Sequence, residues 1–248
     1  MNGNFTLGSG TTFSAATFGH TVKGNFSNSG TFNASTSTFT LNGSSAQTIG
    51  GSNATTFNAL TIGNAAGVSL NGVNTTVGGT LALGSSVLST GSNKVIANGS
   101  VTRTTGFIGG NLQKSIATGA SSPLFEVGTG STYAPISLSI TGASAGGNLT
   151  ASSTAGQHPS FGTSGISSSK YVNRYWTLTA GGGLTVTSYS ATFTFANPGD
   201  LVGSPNTAAL IVRRFSGGTW TAPASSSSTS TTVTGTGFTS FGDFAAGE

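Results

Sequence analysis

Apolar residues in the first hundred positions occur in pairs that enclose one residue, and the pairs recur at a constant interval. Phe39-Thr40-Leu41, Leu60-Thr61-Ile62 and Leu81-Ala82-Leu83 align at steps of 21 residues, and Gln47-Thr48-Ile49 aligns with Val68-Ser69-Leu70 at the same step. Alternation of apolar and polar side chains is typical of a β-strand with one buried face. The pattern therefore predicts a repeat built of short strands.

The same step extends towards the start of the chain, where Phe5 aligns with Phe26 and Phe18 aligns with Phe39. Turn signals such as Asn42-Gly43 separate the strands. A fixed period of this length is typical of a solenoid or a hairpin array, because one repeat cannot bury its apolar side chains alone.

We predict a right-handed parallel β-solenoid of about five coils of about 21 residues, stacked about 4.8 Å apart. Stacking would place Leu41, Ile62 and Leu83 in one internal column and leave Thr, Ser and Asn outside. The alternative is a run of antiparallel hairpins in a sandwich, which the Asn-Gly turns suit at least as well.

The period is lost after about residue 118, and longer alternating stretches replace it. Ile136, Leu138 and Ile140 alternate with serines, and the positions 172 to 178 show a second alternation that includes Trp176. Strands of this kind, joined by Gly, Pro and Ser, predict an antiparallel β-sandwich. We therefore expect a solenoid domain over 1–118 and a sandwich domain over 119–248, packed end to end.

Two segments of the second half are expected to be irregular. The stretch 142–169 is interpreted as a Gly/Ser-rich connection with one strand near Leu149, and the stretch 224–232 as a Ser/Thr loop or edge strand.

Charge is scarce along the whole chain. The 248 residues include 8 Lys and Arg, 4 Asp and Glu, and no Cys, so a helical fold, a disulfide framework and a Cys-based zinc site are excluded. No apolar run reaches the roughly 18 residues of a membrane span.

The basic groups Arg213-Arg214 and Lys170 with Arg174 are too few for a nucleic-acid surface and are expected at solvated strand ends.

The carboxylates offer little for catalysis. They are Glu126, Asp200, Asp243 and Glu248, so none lies in the first 125 residues. Glycoside hydrolysis needs two carboxylates about 5–9.5 Å apart. We expect Asp243 to pair with an arginine or to cap a turn and Glu126 to sit at a strand end, and we predict no catalytic residue.

Metal and cofactor sites are not predicted either. His20 and His158 are isolated in the sequence, whereas zinc needs three or four ligands. We expect His20 on a coil face or turn and His158 in a loop. The glycine-rich stretches 63–67 and 181–183 precede no helix and are interpreted as turns, not phosphate loops.

Two sets of residues are candidates for binding. Trp220, which follows Gly217-Gly218, and Tyr133 could stack on a sugar ring. Hydroxyl side chains of successive coils could form a ladder on one outer face, although Ala82 interrupts it; the candidate ladder residues are Thr40, Thr61, Thr48, Ser69 and Thr90.

Several motifs together resemble a family of secreted bacterial proteins. They are Ser45-Ala46-Gln47-Thr48-Ile49, Phe57-Asn58-Ala59-Leu60-Thr61-Ile62, Gly79-Thr80-Leu81-Ala82-Leu83, Tyr133-Ala134-Pro135-Ile136, Val172-Asn173-Arg174-Tyr175-Trp176-Thr177-Leu178 and Ser240-Phe241-Gly242-Asp243-Phe244-Ala245. They are similar to the repeat and C-terminal module of large surface proteins of gram-negative bacteria that use type IX secretion. The family's sorting domain is missing, as expected of a mature or truncated product. The resemblance implies an extracellular β-protein and no catalytic residues.

Composition points to the same compartment, since a Cys-free, Lys-poor chain rich in Ser, Thr, Asn and Gly is typical of secreted or cell-surface proteins. We predict a non-catalytic structural or adhesive module. Phe5 and Phe13 begin the stack without a polar cap, so either further coils precede it or copies of the chain stack end to end into fibres. The alternatives are an ice-binding module and a carbohydrate-binding module.

Overall fold

The computed structural model describes all residues, 1–248, and its regular structure is β-strand apart from the short 3-10 turns Phe161–Thr163 and Thr207–Ala209. The chain forms two compact units, Met1–Lys114 and Ser115–Glu248. None of its helical segments has the length and apolar character needed to cross a membrane.

The first unit is a parallel β-solenoid, as the 21-residue pattern predicts. It has about six coils, one more than the sequence indicates, because the last coil is one long strand whose glycines hide the apolar pairs. The strands are β1 (Phe5–Leu7), β2 (Thr12–Ser14), β3 (Gly19–Val22), β4 (Phe26–Asn28), β5 (Thr31–Asn33), β6 (Thr38–Leu41), β7 (Gln47–Gly50), β8 (Thr55–Phe57), β9 (Ala59–Ile62), β10 (Val68–Asn71), β11 (Thr75–Val77), β12 (Leu81–Ala82), β13 (Val87–Ala97), β14 (Val101–Thr102) and β15 (Phe107–Ile116).

Successive coils place these strands on three outer faces. Face one holds β1, β4, β7, β10 and the first parts of β13 and β15. Face two holds the pair β2 and β5, then β8, β11 and the second part of β13. Face three holds β3, β6, β9, β12 and β14 in one parallel ladder.

The predicted internal column is confirmed on face three. Leu41 pairs with Ile62, and Leu60 pairs with both Phe39 and Leu81. These five side chains are fully buried, as is Leu83. Neighbouring coils therefore supply each other with the apolar surroundings that a single coil lacks.

Coil length varies at the start of the solenoid, and this overturns the alignment of Phe18 with Phe39. Gly19 pairs with Thr38, a step of 19 residues, so His20 comes to lie over Phe39. The two rings stack with their centroids 4.6 Å apart. Phe18 falls in the corner instead and is 67% exposed.

Aromatic rings fill the core of the first coils. Phe5 stacks on Phe26 with ring centroids 4.8 Å apart, and Phe26 lies 5.0 Å from Phe57. Phe39 meets Phe32 edge-on at 5.2 Å. Such pairs stabilise a core beyond the area they bury, so the aromatic cluster links the first three coils.

A buried amide network joins the coils at one corner. The Gln47 side chain donates to the carbonyls of Val22 and Gly24, and its Oε1 accepts from the Gly43 amide at 2.8 Å and from Asn64 Nδ2 at 2.9 Å. Gln47 and Asn64 are buried. Because the polar atoms of both side chains have hydrogen-bond partners, these bonds offset the free energy that desolvating the amides costs.

The second unit contains antiparallel sheets, as predicted. Its strands are β16 (Gly119–Ser121), β17 (Leu124–Phe125), β18 (Val127–Thr129), β19 (Thr132–Tyr133), β20 (Ile136–Ala145), β21 (Gly147–Ala155), β22 (Tyr171–Gly181), β23 (Thr185–Thr194), β24 (Leu201–Val202), β25 (Ile211–Ser216), β26 (Thr219–Thr221), β27 (Ser225–Ser228), β28 (Thr232–Phe238) and β29 (Gly242–Gly247).

Two sheets of this unit pack face to face. One has the order β16-β20-β23-β28-β27, and the other runs β21-β22-β29-β25-β26. Trp176 of the second sheet lies 5.0 Å from Phe193 of the first, and Phe193 lies 4.8 Å from Phe244. The alternation at Ile136, Leu138 and Ile140 is confirmed, since all three are buried and the intervening serines are exposed.

The strand expected near Leu149 is confirmed as β21, but it is longer than expected, and the interpretation of 142–145 as part of a connection is wrong. Strand β20 continues to Ala145, and β21 forms a long hairpin with β22. The inward positions of β21 include the small residues Ala151 and Ser153, which give a weaker apolar signal in the sequence than Leu or Ile would. The Ser/Thr segment after 224 does form an edge strand, β27.

Arg174 is not at a solvated strand end, as its charge suggested, but is 2% exposed within the second unit. Its Nε and Nη2 donate to the two carboxylate oxygens of Asp200 at 2.9 and 3.0 Å, and Nη1 donates to Ser153 Oγ at 2.9 Å. A buried charge needs such a bidentate partner to offset its desolvation. The pair therefore anchors the loop before β24 to β22.

The internal column gives a direct stability test. Replacing Ile62 by Asp puts a charge without a partner into the dry interior, and we expect this to cost at least about 3–5 kcal/mol and to disrupt the adjoining coils together. Chemical denaturation followed by circular dichroism measures the effect.

Two matched variants serve as controls for that substitution. Ile62→Val should cost only about 0.5–1.5 kcal/mol, and Thr61→Asp, on the outer side of the same strand, should have a much smaller effect than Ile62→Asp. Equal losses for Asp at positions 61 and 62 would contradict the assigned register.

Candidate functional site

The outer side of face three carries a column of threonines. The register aligns Thr21, Thr40, Thr61, Ala82 and Thr102 on five successive strands. Thr40 and Thr61 therefore belong to one ladder, interrupted at Ala82 as the sequence indicates. We call this surface, with its flanking column, the threonine face.

A second column runs beside the first, two residues earlier on each strand. It begins with Gly19, Thr38 and Ala59, which pair directly. Thr80 and Ser100 continue it, and their hydroxyl oxygens lie 3.1 Å apart. Side chains on one side of a strand repeat about every 6.6–6.8 Å, and neighbouring strands lie about 4.7–4.9 Å apart, so the two columns form a regular grid of ten positions, seven of which carry a hydroxyl.

The threonine face combines regular spacing with the absence of charge. No register shift occurs in the ladder from β3 to β14. None of its five strands contains Asp, Glu, Lys or Arg. Threonine is stiff at χ1, so hydroxyl and methyl groups are held in fixed positions.

Five hydroxyl residues of this face were missed at the sequence level: Thr21, Thr38, Thr80, Ser100 and Thr102. The 19-residue step between coils one and two conceals Thr21, and the 20-residue step from Leu81 to Val101 conceals Thr102. The motif Thr38-Phe39-Thr40, with hydroxyls on both sides of a buried residue, is the signal that could have revealed the second column.

The other ladder candidates lie elsewhere. Thr48 pairs with Ser69 on face one, but Ser69 pairs with Ser89, so the alignment of Thr90 is wrong by one residue. Thr90 is buried, and its Oγ1 accepts from the Asn111 amide at 2.8 Å. The step from Ser69 to Ser89 is 20 residues instead of 21, and this shorter coil displaces Thr90 from the ladder.

The two candidates for sugar stacking lie in separate hairpins of the second unit. Trp220 is on β26 and half-buried; its Nε1 donates to Ser160 O at 2.9 Å, and its ring lies 5.0 Å from His158. Tyr133, also half-buried, is on β19, paired with β18. The Trp220 indole is thus engaged within the protein through both its N–H and its ring.

His158 lies in the loop after β21, as expected, and its side chain is buried there in a polar contact. Its Nε2 lies 3.0 Å from Asp243 Oδ2, and Asp243 Oδ1 accepts from Thr177 Oγ1 at 2.7 Å. Asp243 therefore pairs with a histidine instead of the expected arginine. Because the Ser160 amide donates to His158 Nδ1 at 3.1 Å, Nε2 carries the proton and Nδ1 is occupied as an acceptor, which leaves neither nitrogen positioned as a base for a substrate.

The remaining ionisable groups are dispersed. Asp200 pairs with Arg174, and Glu248 lies 3.4 Å from Lys170. A hydrogen bond from the Asn206 backbone, with Lys170 contributing less, lowers the pKa of Glu248. No group of three or more His, Cys, Asp or Glu side chains is placed to hold a metal ion.

The second unit contains a cleft of about 450 Å³ between β22, β23 and the segment before β29. Leu178, Leu184 and Val186 contribute apolar surface, and Thr185 and Ser240 contribute hydroxyls. No charged residue lines it. Its chemistry thus resembles that of the threonine face, although the cleft is less regular.

Tyr189 supports the wall of this cleft from inside. Its ring stacks on Phe241 with centroids 4.8 Å apart, and its hydroxyl donates to Ser240 O at 2.9 Å. Burial raises the pKa of the Tyr189 phenol well above its usual value, and the nearby Arg214 opposes this only in part. The folded state therefore holds the phenol proton more tightly than the unfolded state does.

This raised pKa predicts a loss of stability in alkali. The contribution is present below about pH 10, where the unfolded phenol titrates, and declines as the pH rises above it. Tyr189→Phe should cost about 1 kcal/mol at neutral pH through the lost hydrogen bond but should lose less stability in alkali. Thermal melts across this pH range, with Tyr171→Phe as the control, measure the difference; identical alkaline slopes for wild type and Tyr189→Phe would contradict the prediction.

Comparison with known proteins finds no matching family model, no matching curated protein and no matching solved structure.

Proposed function

We propose that this protein is a non-catalytic structural or adhesive module that acts outside the cell and associates with a second copy of itself through coil one. The dispersed ionisable groups and the absence of Asp and Glu from the solenoid support contact rather than chemistry. The secreted location rests on composition and on the resemblance to type IX secretion surface proteins. The observation that carries the self-association is the open edge of coil one.

The edge of coil one consists of three strands with a partner on one side only. Strands β1, β2 and β3 pair with β4, β5 and β6 respectively and end their ladders. Since Phe5 N and Leu7 O bond to coil two, the intervening Thr6 directs its backbone groups to the open side. Unpaired edges of this kind attract further strands.

Proteins usually protect such edges with charge, proline or a bulge, and coil one has none of these. Residues 5–22 contain no Asp, Glu, Lys, Arg or Pro, and the pairs of β1, β2 and β3 show no register shift. The N-terminal residue covers the end of the β3 edge, where the Met1 amine donates to Thr21 O and the Lys23 amide donates to Met1 O, so the open edge consists of β1, β2 and the start of β3.

A second copy supplies a complementary edge. Two coil-one edges can meet about a two-fold axis that passes through one face, so that the strand of that face pairs antiparallel with its own copy and each of the other two strands meets the copy of the other, and this closes the assembly as a dimer. Phe18 and Met1, exposed by 67% and 51% on the same coil, add apolar area to that contact.

Sedimentation velocity over a wide concentration range tests the association. We expect a reversible dimer for the wild type. Thr6→Pro, which removes an N–H from the open side only, and Thr12→Lys, which adds a charge to the edge, should both yield monomers.

Thr76→Lys is the matched control, because Thr76 is an outward threonine on β11, which is paired on both sides. It should dimerise like the wild type, and all variants should keep the wild-type circular dichroism spectrum. A wild type that remains monomeric at every concentration, or a control that dissociates like Thr12→Lys, would show that the edge does not mediate association.

A further inference from the structure

We infer that the threonine face is a binding site for the surface of ice. This inference rests on the proposed role of the solenoid as a surface-contacting module and names the surface that one of its faces contacts. The site comprises the outward hydroxyl and methyl groups of β3, β6, β9, β12 and β14.

The absence of charge determines the class of ligand. The strands of the threonine face contain no ionisable residue apart from the inward His20. Lys23 and Arg103 directly follow the two outermost strands, β3 and β14, so the middle of the face gains nothing from close Coulomb attraction to phosphates, acidic polymers or anionic lipids. Its ligand must be neutral and must match an array of hydroxyls and methyls.

The spacing of the array fits a tetrahedral water lattice. With O–H···O distances of about 2.8 Å, the next-nearest oxygens of such a lattice lie about 4.5 Å apart, close to the strand spacing of about 4.7–4.9 Å. Thr21, Thr40 and Thr61 repeat at that spacing on three consecutive strands. Bound water can therefore adopt the order of the solid along this column.

The face is also held rigid, which lowers the entropy that binding must remove. The middle strands β6, β9 and β12 are paired on both sides without a register shift. Beneath them lie the fully buried Phe39, Leu60 and Leu81. The outer sides of the other faces are less uniform, since face one presents Gly50 beside Ser27 and Gly109 beside Ser89, and face two presents Ile96 at the level of Thr76.

Ice-crystal shaping and thermal hysteresis of the full chain test the inference. We expect the wild type to shape ice crystals and to show hysteresis that rises with concentration. The double variant Thr40→Lys with Thr61→Lys should lose most of it, because two flexible charged side chains prevent close approach of the lattice. Thr61→Tyr, which suits a strand but protrudes, should show a similar loss.

The matched control is Thr56→Lys with Thr76→Lys, which makes the same change on adjacent coils of face two. It should keep the wild-type hysteresis. Circular dichroism melts verify that each variant folds. Absence of ice shaping by the wild type, equal loss in the face-two control, or retention on insoluble cellulose without any effect on ice would overturn the inference.

The same variants separate this inference from the proposed dimer. Lysine at Thr40 and Thr61 should leave the sedimentation behaviour unchanged. Thr6→Pro should abolish the dimer and still allow ice shaping.

Discussion

The constraint on which the solenoid depends is that a coil of about twenty residues cannot exclude water from its own apolar side chains. Each coil must lie on another in register, so that backbone ladders and internal columns form together. The fully buried succession of Phe39, Leu60 and Leu81 is the result. Because the columns satisfy the demand for burial, the outer positions of the same strands are free to be uncharged hydroxyls.

The corners follow different rules from the faces. Steps between paired residues range from 17, at Val95 and Leu112, to 23, at Phe26 and Ile49, while the faces keep their inward and outward order. Extra residues are accommodated where the chain turns, and buried amides such as Gln47 satisfy the carbonyls that the turns expose. Regular spacing of side chains is thus confined to the strands, which form the surfaces proposed to bind ice and a second copy of the chain.

Periodicity alone predicted the coiled fold and the central columns, because Leu41, Ile62 and Leu83 repeat at a constant step and have a strong apolar signal. The same reasoning failed where the number of residues per coil changes. His20, not Phe18, lies over Phe39, and Ser89, not Thr90, pairs with Ser69. The sixth coil was missed because its strand contains Gly109 and Gly110. No spacing rule could bring His158 to Asp243, since that contact joins residues 85 positions apart through tertiary packing.

The buried Arg174 in the second unit has a consequence for how that unit tolerates change. Its guanidinium is bonded to Asp200 and Ser153 at once. Loss of Asp200 leaves a buried cation without a counter-charge and loss of Ser153 removes one of its hydrogen bonds, whereas replacing the whole group by apolar residues of similar volume can be neutral. Evolutionary drift at these three positions is therefore expected to proceed by concerted exchange, and single substitutions there should be rare among natural variants of this chain.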